Sequence, residues 1–172
     1  MKLPILMIVM LSIAQSITAQ TNTDDEKNVV ISKSVREFSF VKGNTANPVQ
    51  IKEESDRSYT CNNYRTDIPI VEFYNDEVAI DDVDIKTEGL KKNGIKPNYD
   101  YYDVNGTFYS DAHVCYFKLP VLKKGSTSEV VFKKTILDPR YFTSVFFMET
   151  HPVMDQEIRL KVPSWMHLEI KE

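Results

Sequence analysis

The residues best suited to chemistry are two cysteines and three histidines in a chain of 172 residues. His113 and Cys115 lie two apart in a strand-like run, so their side chains point to one face of a predicted strand. A thiolate nucleophile needs a base within hydrogen-bonding reach, whereas residues two apart on a strand are separated by about 6–7 Å. A zinc site needs two further ligands, and the sequence contains no Cys-x-x-Cys motif. We therefore expect no catalytic residue, no metal and no cofactor.

Cys61 and Cys115 are the only two cysteines, so the chain can form just one intramolecular disulfide. An oxidising compartment would permit this bond, which would contribute on the order of 4 kcal/mol by closing a loop of that length. The alternative is a pair of buried thiols. The spacing of the two residues does not decide between these interpretations.

Aromatic side chains are concentrated in one stretch, which contains Tyr99, Tyr101, Tyr102 and Tyr109. Tyrosines in such a stretch can stack on sugar rings or grip a peptide, and they can equally fill the core of a β-sandwich. We favour core filling and retain contact with a glycan or peptide as the alternative. The two interpretations differ in where the strands place these four rings.

The N-terminus has the pattern of a secretory signal peptide. Lys2 precedes an apolar run from Leu3 to Ala14, and small residues follow up to Ala19. The run is shorter than the roughly 20 residues that span a bilayer as a helix, so we expect no stable membrane anchor after cleavage. Residues 1–19 are therefore predicted to be the signal peptide and 20–28 a flexible leader, in a periplasmic or secreted protein.

The composition indicates a folded globular domain, because 42% of the residues are hydrophobic and 27% are charged. The formal net charge of −4 is small and has the wrong sign for a nucleic-acid partner. No window of the mature chain has the apolar stripe of an amphipathic helix. The mature chain is therefore expected to consist of strands.

Apolar residues recur mostly with a period of two, which predicts strands. Phe38 and Phe40 alternate with polar neighbours, and a change of phase at Asp81 and Asp82 predicts a bulge or a turn. Residues 86–106 contain three glycines and a proline and are predicted to be mainly a loop. Further strand-like runs lie at 112–119, 128–136, 141–148, 157–162 and 165–171.

The last two runs have the cleanest alternation. Ile158, Leu160 and Val162 are predicted to face the core, and Met166, Leu168 and Ile170 continue the pattern. Several short strands separated by turn signals predict an all-β fold, an antiparallel β-sandwich over residues 29–172. Because the final run reaches the last residue without a closing cap, we expect an edge strand at 166–172 and a sandwich truncated at its C-terminal edge.

Several motifs between Asn93 and Glu172 match those of a known family. They are CYFKLP at 115–120, KKG at 123–125, EVVF at 129–132, DPRYF at 138–142 and VPSW at 162–165. In these motifs the chain resembles a bacterial family of domains of unknown function, which lie N-terminal to transglutaminase-like domains in secreted proteins, many of them from Bacteroidota. The resemblance implies a β-sandwich module without catalytic residues of its own.

The resemblance also implies that the Cys-His-Asp chemistry of such proteins belongs to a following domain. We therefore expect a non-catalytic exported module that accompanies a transglutaminase-like domain or another protein. The alternative is a stand-alone protein that binds a glycan or a peptide through its tyrosines.

Overall fold

The computed structural model describes residues 28–62, 65–91, 94–102, 111–142 and 144–169. The predicted signal peptide and Tyr109 lie outside these ranges. The described residues form eight strands and one turn of 3-10 helix at Pro139–Tyr141. The strands are β1 (Val29–Lys42), β2 (Val49–Cys61), β3 (Thr66–Tyr74), β4 (Val78–Thr87), β5 (Asn98–Tyr101), β6 (His113–Val121), β7 (Thr127–Ile136) and β8 (Gln156–Lys161).

The strands form two sheets. The larger sheet has the order β4-β7-β2-β1-β8, and the smaller sheet has the order β3-β6-β5. Neighbouring strands are antiparallel except β1 and β8, which run parallel. The prediction of an all-β fold rich in antiparallel pairing is confirmed. None of the described residues belongs to a helix that is long and apolar enough to cross a bilayer.

A β-bulge interrupts β4 between Ile80 and Asp82, where the change of phase predicted one. The extra residue places both acidic side chains among lysines of the neighbouring strands. Asp81 lies 3.2 Å from Lys52, and Asp82 lies 3.6 Å from Lys133. The bulge therefore explains how two consecutive carboxylates both form ion pairs on one sheet.

The first hydrophobic cluster lies between the two sheets. The larger sheet contributes buried residues of β1, β2 and β7, and the smaller sheet contributes buried residues of β3 and β6. The sheets therefore share one core, which is consistent with the predicted sandwich. Its buried members are Val29, Ile31, Tyr59, Cys61, Ile68, Ile70, Cys115, Phe117, Leu119, Val121, Val130 and Phe132.

The second hydrophobic cluster lies on the larger sheet, around Phe38, Phe40, Ile51 and Ile136. Phe142 covers it, with its ring centroid 4.9 Å from that of Phe38 and 5.9 Å from that of Phe40. Additional cover comes from partly buried side chains of the C-terminal region, among them Val145, Ile158, Leu160, Met166 and Leu168. This half of the core is therefore closed by irregular chain in addition to strands.

The strands predicted at 141–148 and 165–171 are wrong over the residues described. The 3-10 turn and irregular chain occupy the first run, and residues 165–169 form no strand. Their apolar side chains cover the second cluster instead. An alternating run of apolar residues can be buried against a core without pairing as a strand. Val162, predicted to face the core, is exposed. The short strand β5 lies within the region predicted to be a loop.

Candidate functional site

A row of buried and partly buried charged side chains crosses the larger sheet between its two hydrophobic clusters. Glu53 of β2 lies 2.9 Å from the Nη2 atom of Arg36 on β1 and 3.1 Å from the Nζ atom of Lys134 on β7. Lys134 also lies 2.6 Å from Glu72, which projects from β3 of the smaller sheet. These ion pairs therefore link the two sheets as well as three strands of one sheet.

The row continues to the irregular chain after the 3-10 turn. The Nε atom of Arg57 lies 3.1 Å from Glu149, and its Nη1 atom lies 3.8 Å from Glu72. The hydroxyl of Ser34 donates a hydrogen bond of 2.9 Å to Glu149. Three cations and three carboxylates thus compensate one another. These residues, the charge network, are Arg36, Glu53, Arg57, Glu72, Lys134 and Glu149.

The charge network keeps Glu53 and Arg57 ionised. Burial acts to raise the pKa of Glu53, but the charges of Lys134 and Arg36 outweigh it and hold that pKa below the ordinary value. Burial acts to lower the pKa of Arg57, and Glu149 and Glu72 more than offset it. Neither group is placed to exchange a proton near neutral pH. The ion pairs of Glu53 and Arg57 are therefore suited to holding the strands together.

Cys61 and Cys115 are both buried thiols, and the structure does not join them. The carbonyl of Cys61 accepts a hydrogen bond from Gly125, just beyond the end of β6 at Val121. Cys115 lies six residues before Val121, which is about 20 Å along a strand at roughly 3.3 Å per residue. A disulfide needs Cα atoms within about 7 Å. The disulfide interpretation is therefore not supported, and the alternative of two buried thiols is.

Four aromatic rings gather at the β5 end of the smaller sheet. Tyr74 stacks on His113 with ring centroids 5.1 Å apart, and Tyr101 covers His113 with centroids 4.6 Å apart. Tyr99 meets Tyr74 edge-on at 6.4 Å and lies opposite Cys115 in the ladder of β5 and β6. Tyr74, Tyr99, Tyr101 and His113 are the tyrosine cluster. It brings together two of the four tyrosines singled out in the sequence.

The tyrosines predicted to fill the core are at the surface instead. Tyr101 is 74% exposed, and Tyr99 and Tyr102 are also classed among the exposed large side chains. Tyr102 packs edge-on against the exposed Phe73 at 4.9 Å, beside β3. Core filling is therefore wrong for the three described tyrosines, because β5 is an edge strand whose four residues are all exposed.

A second exposed apolar feature was not singled out in the sequence. Phe146, Phe147 and Met148 are 69%, 64% and 86% exposed. On one side of them Val145 packs into the second cluster, and on the other side Glu149 enters the charge network. Arg36 also donates a hydrogen bond of 3.3 Å to the carbonyl of Phe146. Residues 146–148, the apolar loop, are thus displayed from a firmly anchored segment.

The arrangement offers little for catalysis among the described residues. Burial raises the pKa of Cys115 to about 11, so its sulfur is a neutral thiol at physiological pH. The neighbouring His113 lies between two tyrosine rings, and its Nε2 atom is 3.8 Å from Asp76. Across the described ranges no three His, Cys, Asp or Glu side chains gather as metal ligands. What the molecule does present is apolar and aromatic surface.

A family model matches the C-terminal part of the chain. The model of a domain of unknown function with a solved structure, DUF3857, matches residues 74–172, more than half of the chain. The chain belongs to the DUF3857 family. A search of curated proteins finds no match to this DUF3857 chain.

The DUF3857 match begins at residue 74 and therefore covers β4 to β8 but neither β1 nor β2. Nevertheless β2 lies between β7 and β1 in the larger sheet, and β1 pairs with β8. Both the charge network and the first cluster use residues on each side of this boundary. In this chain the DUF3857 region and the preceding strands therefore form one packed body.

Proposed function

We propose that this DUF3857 chain is a non-catalytic, exported module that docks onto a transglutaminase-like domain or another protein. The observation that carries the proposal is the apolar loop. Its three side chains are exposed although burial of each would contribute about 1.5–3 kcal/mol. A partner that covers the loop recovers that free energy.

The anchoring of the apolar loop supports docking over accidental exposure. Glu149 is fixed by Arg57 and Ser34, and the backbone at Phe146 is fixed by Arg36. Such a segment loses little conformational freedom when a partner binds, so more of the contact energy remains as affinity. A preorganised apolar patch is a common feature of protein-binding surfaces.

The absence of catalysis is the second part of the proposal. Cys115 is fully buried and its raised pKa keeps the thiol protonated, whereas nucleophilic cysteines are accessible and have a lowered pKa. We expect no transglutaminase, protease or amidase turnover from the mature chain. Turnover that disappears on Cys115→Ala, in a variant with an unchanged circular dichroism spectrum, would show that the chain is an enzyme.

A binding assay tests the docking. The probe is a transglutaminase-like domain from a protein in which a DUF3857 domain precedes it, titrated with this chain in a calorimeter. We expect one-to-one binding that weakens by about tenfold or more when Phe146→Ser and Phe147→Ser are combined, since two apolar contacts of 1 kcal/mol or more are lost. Tyr101→Ser is the matched control at the other surface, and it should bind like the parent chain.

The tyrosine cluster favours one second candidate function, the binding of a glycan or a peptide. Tyr101 and Tyr99 expose ring faces, and aromatic faces stack on sugars and on extended peptides. On this hypothesis Tyr101→Ser abolishes binding to an array of immobilised glycans, and the double variant of the apolar loop does not. Tyr101→Ser and the combined Phe146→Ser and Phe147→Ser variant therefore distinguish docking from the binding of a glycan or peptide.

A further inference from the structure

β3 lies at the edge of the smaller sheet, and over the described residues it pairs with β6 alone. Pro69 lies opposite Lys118, and Pro120 lies opposite Asp67. Bonded and non-bonded pairs alternate in a regular antiparallel ladder, and a proline has no N–H to donate. Both prolines therefore occupy non-bonded pairs.

The same alternation decides whether the backbone groups of each residue of β3 point toward β6 or toward the free edge. The N–H and C=O groups of Ile68 and Ile70 point toward β6, and those of Asp67, Val71 and Phe73 point toward the free edge. Val71 and Phe73 also expose about half of their side-chain surface beside that edge. Over the described residues the edge thus combines unpaired backbone groups with apolar side chains, and Pro69 interrupts it at one position.

A narrow cleft opens beside the first half of this edge. The buried Val29 and Ile68 line it together with residues 66–69 of β3 and with Thr150 and His151 of the C-terminal region. Its volume is about 220 Å³. Pockets for drug-sized ligands usually measure about 300–1,000 Å³, so the cleft is too small for an oligosaccharide and fits one or two side chains.

His151 forms part of the wall of the cleft. Its ring packs edge-on against Tyr59, with centroids 6.2 Å apart, which restrains its plane. Its Nδ1 atom is buried, so this nitrogen is not exposed in the cleft.

We propose that an extended segment of a partner protein adds to β3 as a further strand of the smaller sheet. Its backbone bonds to the free groups of Asp67, Val71 and Phe73, and one of its apolar side chains fills the cleft. The inference rests on the binding role proposed above and names a second contact of that module. It uses none of the residues of the apolar loop.

Hydrogen exchange tests the geometry. The probe is the strongest synthetic peptide obtained by selecting a random phage-displayed library against the full chain. We expect this peptide to slow exchange of the amides of Asp67, Val71 and Phe73, which are exposed at the edge in the unbound chain. The amides of Ile68 and Ile70 are protected by β6 already and should change little. Protection confined to the tyrosine cluster would overturn the proposal.

Variants of the edge test the energetics. Val71→Pro removes one edge N–H and no bond to β6, so we expect peptide binding to weaken about tenfold, the effect of one lost hydrogen bond. Val71→Thr is the matched control and should bind like the parent chain. Asp67→Pro serves the same purpose as Val71→Pro where the latter fails to fold.

Several outcomes would overturn the strand addition. They are a library that yields no binder and a peptide that binds Val71→Pro as tightly as the parent chain. The combined Phe146→Ser and Phe147→Ser variant should bind the peptide normally. Failure of docking through the apolar loop is therefore distinguishable from failure of strand addition at β3.

Discussion

Apolar side chains are usually buried and charged side chains exposed. Two regions of this DUF3857 chain depart from that rule in opposite ways, the interior of the larger sheet and the exposed surfaces. The charge network buries three carboxylates and three cations where apolar side chains would avoid the cost of desolvation. The apolar loop and the tyrosine cluster expose large apolar side chains that a monomer could bury. The first departure is compensated within the chain by ion pairs. The second has no compensation among the described residues, and we propose that a partner supplies it.

The two regions are connected through Glu149. This residue belongs to the charge network through Arg57, and it follows directly on the apolar loop. The buried ion pairs therefore fix the segment from which Phe146, Phe147 and Met148 project. We therefore expect variants of the charge network to lower stability and leave binding unchanged. Variants of the exposed side chains should weaken binding and leave stability unchanged.

The largest expected effect is the loss of a buried cation. Lys134→Met leaves Glu53 and Glu72 without their shared partner, and we expect the free energy of unfolding to fall by about 3–5 kcal/mol. Lys133→Met is the matched control on the same strand, because Lys133 forms a solvent-exposed pair with Asp82. Its expected cost is about 0–1 kcal/mol. Urea denaturation of both variants measures the difference, and equal costs would contradict the role assigned to the network.

A moderate effect is expected at alkaline pH. Burial raises the pKa of Cys115 from 9.0 to about 11 and that of Tyr59 from 10.0 to about 12. The unfolded chain loses these protons first as the pH rises, so the folded state loses stability between about pH 9 and pH 12. Tyr59→Phe should flatten the upper part of this decline in urea denaturation measured from pH 8 to pH 12. A decline of the same slope in Tyr59→Phe would show that other groups cause it.

The smallest effects on stability are expected at the exposed surfaces. Phe147→Ser and Tyr101→Ser remove side chains that are mostly exposed, so each should change the free energy of unfolding by about 0.5 kcal/mol or less. Thermal unfolding followed by circular dichroism is a sufficient test. A loss of several kcal/mol in either variant would mean that the side chain supports the fold, and the comparison with the charge network would fail.

Parts of the fold followed directly from local pattern. The alternation around Phe38 and Phe40 predicted β1, and the change of phase at Asp81 and Asp82 predicted the bulge in β4. The runs at 112–119, 128–136 and 157–162 correspond to β6, β7 and β8 within one or two residues. Side-chain alternation is a local property of a strand, so a single sequence is enough to show it.

The parts that failed depend on contacts between distant residues. No strand was predicted at β2, whose inward positions between Ile51 and Tyr59 hold Glu53, Ser55 and Arg57. Oppositely charged side chains on β1, β3 and β7 offset the desolvation cost of burying those charges, and these partners are distant in sequence. Likewise Tyr101 is exposed because β5 lies at a sheet edge, which no residue near it in sequence specifies. The every-second-residue pattern from Ile51 to Cys61 was the one available signal for β2.

Hydroxyl-radical footprinting of the chain with and without a transglutaminase-like domain tests the central claim most directly. Met148 is 86% exposed and readily oxidised, and Tyr101 reports on the other surface in the same sample. If the apolar loop is the docking surface, the partner slows oxidation of Phe146, Phe147 and Met148 several-fold and leaves that of Tyr101 unchanged. Unchanged oxidation of Met148 in a complex that demonstrably forms, or protection of Tyr101 in its place, would contradict the account.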